Sequence, residues 1–403
     1  MTPPHAGPGR KLVAVLAGTQ ILSWGTLYYS FPVLVLPMGR DLGWSPERLH
    51  GGVAIGLFAY GIASVPMGAW IDRHGGREVM VLGSALGASG LGLWAWARTP
   101  GWYVLAWILL GLGMAGTLYE AAFAVLVGAF QREAPRRIAT LTFAGGLAST
   151  LCLPATQALA DRLHWSGALW VLAAVNLAVC APLHAAVVPR TASKAVAPSV
   201  WTGVGTGRAL VRSRSFWGLA ICFPACTLVT SALVFQLIPL LRGWGLDKKA
   251  SLGCMMLFGP LQAGSRMSWV ALGKHLRARG TGWVVVASFL VSLLVLVLAP
   301  HRLAWLGSAV AILGLGNGLL TILRGTAVPE LIHVGGYGAV NGILAFPVMM
   351  ARAFGPAFAA TVWSWSGNSA CMIWALLGCT VVGGLGFLAA MTDRGAHTST
   401  PGP

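Results

Sequence analysis

The sequence predicts an all-α membrane protein: 12 transmembrane helices in two parallel six-helix repeats. Three observations lead there, namely the composition, the lengths of the apolar runs, and a self-similarity within the chain. Of 403 residues 56% are hydrophobic and only 9% charged, with 54 Gly and 18 Trp, whereas a soluble domain carries about 25% charged residues. Apolar runs long enough to cross a bilayer fall at 12–38, 53–71, 79–97, 102–130, 138–159 and 167–188, and again at 216–241, 252–272, 282–298, 303–326, 338–362 and 370–391. Backbone groups in lipid must be satisfied within the segment, so these runs are expected to be helices. Their length and lack of alternation exclude a β-barrel.

The spans set the organisation. Residues 1–188 form a first six-helix bundle, 189–215 a cytoplasmic linker, and 216–403 a second bundle with a short tail. Of the 27 Lys and Arg, 16 lie in the termini and even-numbered loops, eight in the odd-numbered loops, and three inside spans. The bias places both termini in the cytoplasm, with a bacterial inner membrane as the expected location. The +17 charge is scattered over short loops and forms no continuous basic face, which argues against a nucleic-acid partner. All seven cysteines fall in apolar segments, so neither a disulfide framework nor a metal site is expected. The N-terminus runs into the first span without a cleavage site, so no removable signal peptide is read there.

The two halves echo each other. Pro37-Met-Gly-Arg40 with Trp44 corresponds to Pro239-Leu-Leu-Arg242 with Trp244. Gly111-Leu-Gly113 corresponds to Gly314-Leu-Gly316, Pro154 to Pro356, and Trp165-Ser-Gly167 to Trp365-Ser-Gly367, at offsets of 200 to 203. Six spans per repeat is even, so both repeats enter the membrane in the same sense. That is the plan of a rocker-type transporter with substrate held between its halves.

Four ionisable residues lie inside spans: Glu120, Arg266, Arg324 and Arg352. Each costs about 2.5–3.5 kcal/mol at membrane depth unless it finds a partner or a watery cavity. Helical spacing sorts them into stripes. Asn317, Thr321 and Arg324 share a face of span 10; Gly113, Thr117 and Glu120 share the matching face of span 4. Gln262, Arg266 and Trp269 line span 8, and Gln20, Trp24, Tyr28 and Phe31 line span 1. An offset of 203 brings Glu120 next to Arg324, which leaves two readings open: a structural or gating ion pair, or a substrate or proton site. Arg266 is expected to contact an anion. Arg352, near the external end of span 11, either snorkels or gates outward closure, and Tyr28 either lines the cavity or packs. Most of the Trp residues lie near span ends and read as interfacial anchors.

Gly68-Ala-Trp-Ile-Asp72-Arg73-His-Gly75-Gly76-Arg77, in the loop after span 2, resembles the G-x-x-x-D-R-x-G-x-R signature of the major facilitator superfamily. The segment 273–280, after span 8, resembles a degraded second copy. With the repeat and the span number, the resemblance covers essentially the whole chain. It implies the major facilitator fold, a monomer, no cofactor, and gating roles for Asp72, Arg73 and Arg77, with Asp72 meeting a helix N-terminus or an arginine. Leu27-Tyr28-Tyr29-Ser30-Phe31-Pro32-Val33, Asp41-Leu-Gly43-Trp44-Ser45 and the arginine of Gly259-Pro-Leu-Gln262-Ala-Gly-Ser-Arg266 are similar to monocarboxylate and oxalate-type porters. In that branch an aspartate stands one turn before the arginine; here it is Gln262, which puts proton coupling through span 8 in doubt.

The expected function is therefore secondary active transport of a small organic anion, a monocarboxylate or related carboxylate, by alternating access. Arg266, Arg324, Tyr28, Gln262, Asn317, Thr321 and Gln20 are the candidate substrate contacts. Glu120, Asp72, Arg73, Arg77 and Arg352 are the candidate coupling and gating groups. Glu120 is the acid available for proton coupling, and its protonation would free Arg324. A drug or metabolite exporter of the same superfamily and a non-transporting membrane sensor are the alternatives. An enzyme is not expected, since H-E-x-x-H, G-x-S-x-G and a pair of intramembrane acids are all missing.

Overall fold

The computed structural model describes residues 6–190, 210–272, 277–298, 302–332 and 336–392, and among these every regular element is a helix. Span 1 is α1 (Ala6–Trp24), a π-helical turn (Gly25–Tyr29) and α2 (Ser30–Leu42). Spans 2 and 3 are α3 (Pro46–His74) and α4 (Arg77–Trp96), and span 4 is α5 (Pro100–Thr117) followed by α6 (Tyr119–Phe130). Spans 5 and 6 are built from α7 (Ala134–Gly146), α8 (Ala148–Val175), a second π turn (Asn176–Cys180) and α9 (Ala181–Val187). Spans 7 to 12 are α10 (Arg214–Gly243), α11 (Lys248–Leu272), α12 (Ala278–Leu298), α13 (Leu303–Leu331), α14 (Tyr337–Ser366) and α15 (Ser369–Met391).

Among the described residues ten helical stretches are long and apolar enough to cross a membrane. One of them, Ala134–Val187, has 54 residues and turns at His164, where φ is 65° and ψ 162°; this is the expected junction of spans 5 and 6. The stretch missing from the ten is α11, diluted by Gln262, Ser265, Arg266 and Ser268. The expected boundaries hold to within seven residues, the largest difference being at span 2, expected from 53 and starting at Pro46, and most of the linker and of the loop between α11 and α12 lie outside the described residues.

Caps and turns explain where the helices stop. Ser45 accepts from the Arg48 amide ahead of α3, with Pro46 in its first turn, and Asn368 Oδ1 accepts from Ala370 N at 2.8 Å to open α15. Gly75, with φ of 88°, ends α3 where only glycine is comfortable, and a Cβ there would press into the Arg190 carbonyl at 2.9 Å.

By backbone packing the chain forms two compact units, Met1–Ser199 with Gly336–Met349, and Val200–Gly335 with Met350–Pro403. In the first, α5 packs against both α4 and α3, and α4 packs against α8 and α9. In the second, α13 packs against α12 and α11, and α12 against α15. Span pairs 2–4, 3–4 and 3–6 thus recur as 8–10, 9–10 and 9–12, the pattern that a six-span repeat requires. Glycines set close crossings: Gly83 of α4 and Gly116 of α5 each block a Cβ on the other, and a Cβ on Gly113 would strike the Gly87 backbone. This is how helices associate in lipid, by small residues that let backbones approach.

Tryptophan serves in two ways. Trp96, Trp102, Trp170 and Trp305 are exposed near helix ends, as expected of interfacial anchors, but Trp94, Trp107 and Trp165 are fully buried. Trp94 and Trp107 pack at 5.2 Å and both meet Phe31. Phe31 therefore belongs to the core and not to the Gln20–Trp24–Tyr28 face. The π turn at Gly25–Tyr29 inserts the extra residue that rotates everything after it.

Candidate functional site

In the first unit the polar centre is an interruption of span 4. Helix α5 stops at Thr117, Leu118 is extended (φ −81°, ψ −161°), and α6 starts at Tyr119. A break at this depth leaves carbonyls and amides without helical partners, tolerable only where protein satisfies them. Gln20, fully buried on α1, does so: its Nε2 donates to Thr117 O at 2.6 Å. Its Oε1 is buried without a hydrogen-bond partner among the described residues. Thr117 Oγ1 donates back to Gly113 O at 2.7 Å, so the face predicted from Gly113, Thr117 and Glu120 is continuous only as far as the break.

Glu120 lies in the first turn of α6 and is 6% exposed. The partial positive charge of that helix start suits a carboxylate, and the Tyr60 hydroxyl of α3 donates to Glu120 Oε2. Tyr60 is not among the site residues expected from the sequence; its one signal there is a hydroxyl in the middle of an apolar span. Around the break stand Trp24 and Tyr119, 5.0 Å apart, and Tyr28, 5.5 Å from Trp24. Tyr28 is half-buried.

The signature after span 2 is also placed in this unit. Asp72 accepts from Gly338 N and Ala339 N, both at 2.8 Å, in the first turn of α14. Of the two expected partners it has the helix N-terminus, where an anion is favoured by orphan amides and dipole together. The approach depends on missing side chains: a Cβ on Gly68 would collide with the Gly338 carbonyl, and one on Gly338 with Gly68. Arg77 Nε donates to Val188 O at 2.6 Å and its amide to Pro189 O at 3.3 Å, which fastens the end of span 6. Arg73 is exposed at the end of α3.

In the second unit Arg266 is buried, 4% exposed, in the last third of α11. Its Nη2 donates to Thr321 Oγ1 at 3.1 Å, and Thr321 in turn donates to Asn317 O at 3.2 Å. The Asn317 side chain accepts from Thr230 Oγ1 of α10 at 3.2 Å. Three predicted residues, Arg266, Thr321 and Asn317, are therefore joined, and Thr230 is a member that spacing within one helix could not reveal. Gln262 lies half-buried one turn before Arg266, Arg324 half-buried one turn beyond Thr321, and Arg352 half-buried on α14. Gly318 allows the approach of the two helices, since a Cβ there would collide with Gln262 O and Ser265 Oγ. Among the described residues no three His, Cys, Asp or Glu side chains cluster to hold a metal.

The Major Facilitator Superfamily model matches residues 16–356. Monocarboxylate transporter 11 of Mus musculus is 32% identical over 187 residues, 44% of this chain and 40% of the relative. Its Homo sapiens counterpart is 31% identical over 193 residues, 44% of this chain and 38% of the relative. The aligned stretch thus spans about two-fifths of the curated relatives it matches. Among solved structures, the human organic anion transporter MFSD10 (TETRAN) superposes with a TM-score of 0.72 at 18% identity, covering 96% of this chain and 100% of that one. A variant of the E. coli fucose:proton symporter FucP gives 0.72 at 14% identity, covering 95% and 98%. At such identities these structures speak for the fold. With a family match over most of its length and ten apolar helical stretches among the described residues, the chain belongs to the Major Facilitator Superfamily and is a multi-pass membrane protein.

Proposed function

We propose that this transporter moves a small organic anion, a monocarboxylate or a related carboxylate, by alternating access. The observation that carries the proposal is Arg266, a guanidinium buried within a membrane span and held by the Thr321 hydroxyl at 3.1 Å. A planar fork in a low-dielectric site binds a carboxylate in bidentate fashion. Thr321, Asn317 and Thr230 supply a polar wall beside it, with Gln262, Arg324 and Tyr28 as further candidate contacts. The name of the curated relatives, monocarboxylate transporter 11, points to the same substrate class.

Glu120 is assigned the coupling proton. It is a buried acid with a hydroxyl donor, Tyr60, and a helix N-terminus beside it. Asp72 and Arg77 close the side of the protein that carries the signature loop, one by holding the start of α14, the other by holding the end of span 6; Arg73 and Arg352 are the remaining gating candidates. The protein acts as a monomer in a bacterial inner membrane with both termini cytoplasmic, its bundles comprising 1–188 and 216–403 and joined by the 189–215 linker.

The test is uptake of radiolabelled lactate, pyruvate and oxalate into proteoliposomes, paired with a thermal-shift screen of small carboxylates. Binding that disappears in Arg266→Ala is the expected result. Carboxylate uptake retained by Arg266→Ala would instead favour export of apolar metabolites or drugs, for which the Trp24–Tyr28–Tyr29–Tyr119 aromatic cluster is the supporting observation. Binding without flux would identify a sensor.

A further inference from the structure

We propose that a cleft at the start of span 7 is a binding site for an anionic glycerophospholipid. The cleft has a volume of about 360 Å³ and is lined by Arg212, Arg214, Trp217, Gly218, Ile221 and Ala389, among others. Two guanidinium groups stand at its mouth, both exposed, and among the described residues no carboxylate pairs with either. The start of α10 adds its own partial positive charge to theirs. The mouth therefore carries two positive charges that nothing described in the fold neutralises.

The surroundings hold these arginines in place. Ser213, lying between them, caps α10 by accepting from Phe216 N at 3.2 Å. Trp217 Nε1 donates to Val211 O at 2.7 Å, tying the residues before the helix to its first turn. Ser215 Oγ donates to Ala390 O at 2.8 Å, which fixes α10 against α15. The rim is thus ordered by side chains that do not use the guanidinium donors themselves.

The floor is a different chemistry. Gly218 of α10 and Gly386 of α15 cross so closely that neither tolerates a Cβ, and the absent side chains leave a trough flanked by Ile221 and Ala389. Its outer neighbours, Leu385 and Leu388, are exposed on a helix apolar enough to span the bilayer. Trp217, 52% exposed, marks the level of the headgroups. A soluble anion would use the arginines and leave the trough empty. A phospholipid uses both, its phosphodiester on the arginine forks and one acyl chain along the trough.

The site is independent of what the transporter carries, and the test needs no substrate. Purified protein is titrated with dioleoyl phosphatidylglycerol, with dioleoyl phosphatidylcholine and with free glycerol 3-phosphate, reading bound lipid by native mass spectrometry and stability by thermal melting. R212Q/R214Q is expected to weaken retention of phosphatidylglycerol about tenfold, equivalent to one lost charge-assisted contact. Ala389→Phe, which fills the trough and leaves both charges, is expected to weaken it as well. Melting in phosphatidylcholine controls for folding, and the single substitution Arg212→Gln replaces the double variant if that one is unstable. Phosphatidylglycerol bound equally by wild type and R212Q/R214Q overturns the proposal. So does equal binding of phosphatidylcholine, which would make the cleft merely apolar, or glycerol 3-phosphate bound as tightly as the lipid, which would make it a soluble-anion site.

Discussion

Span 4 and span 10 descend from the same position in the repeat, yet one is broken and the other is not. The offset of 203 carries Leu118, the extended residue of span 4, onto Thr321 of α13, which runs unbroken from Leu303 to Leu331. At the break stands an acid, Glu120, at the head of a half-helix. At the continuous position stands a hydroxyl that presents its oxygen to a guanidinium, Arg266. A carboxylate gains from exposed amides at a helix start and a cation does not, so each geometry matches the sign of the charge beside it. One repeat has become acid-bearing and the other cation-bearing from a common plan.

The comparison breaks most easily at its cationic side. Arg266→Ala should abolish binding of small carboxylates, a loss of roughly 2–5 kcal/mol or at least about thirtyfold in Kd, read by thermal shift or isothermal calorimetry. Arg266→Lys keeps the charge without the fork and should recover only part of it. Binding unchanged in both variants would remove the second repeat from the substrate site altogether.

The acidic side should fail differently. Glu120→Gln is expected to retain exchange of labelled for unlabelled carboxylate across the vesicle membrane while losing accumulation driven by a pH gradient. Accumulation that still follows the gradient would take the proton away from Glu120 without touching the anion assignment. Tyr60→Phe should reduce gradient-driven accumulation several-fold while leaving exchange in place, as expected from the loss of one hydrogen bond, about 0.5–1.5 kcal/mol.

Asp72 tests the signature loop, which only the first repeat keeps intact. Asp72→Asn removes the charge and one of two acceptors from the start of α14, a loss of roughly 1–2 kcal/mol. The expected outcome is a lower melting temperature and greater labelling of cysteines introduced near Gly338. Arg77→Gln, which leaves Asp72 in place and loosens span 6 at Val188, should not increase labelling at Gly338.

Much of this is legible in the sequence, and what is not has an identifiable cause. Span number and boundaries follow from apolar run length, because lipid leaves the backbone little choice. Even α11, more polar than the ten most apolar stretches, falls on the run read at 252–272. Arg266 and Thr321 stand out by helical spacing on their own spans, and the structure joins them. Leu118, in contrast, is a good helix former, and nothing local announces a break there. The amide that secures Thr117 O comes from Gln20, 97 residues away. Tyr60 and Glu120 are 60 residues apart, and Thr230 and Asn317 are 87 apart. Periodicity reports which face a residue occupies, not which face of another helix meets it. The π turn at Gly25–Tyr29 shows the same limit, since it moves Phe31 off the predicted face without any proline inside the turn to signal it.

The smallest expected effect is also the sharpest discriminator between the broken and the continuous helix. Gln20→Leu deletes the bond to Thr117 O and leaves that carbonyl buried beside an apolar side chain, a loss of about 1–3 kcal/mol. Thr321→Val deletes the hydroxyl on Arg266 in nearly the same volume. If Gln20 acts by closing the interruption, Gln20→Leu lowers the melting temperature by a few degrees and leaves the KM for the carboxylate unchanged. Thr321→Val then does the reverse, raising KM a few-fold with little change in melting. A KM shift in Gln20→Leu as large as that in Thr321→Val would mean that the amide touches substrate, and that its Oε1, without a partner among the described residues, faces the transport path. In that case span 1 contributes to recognition and the division of labour between the repeats is less complete than the positions of the charges alone imply.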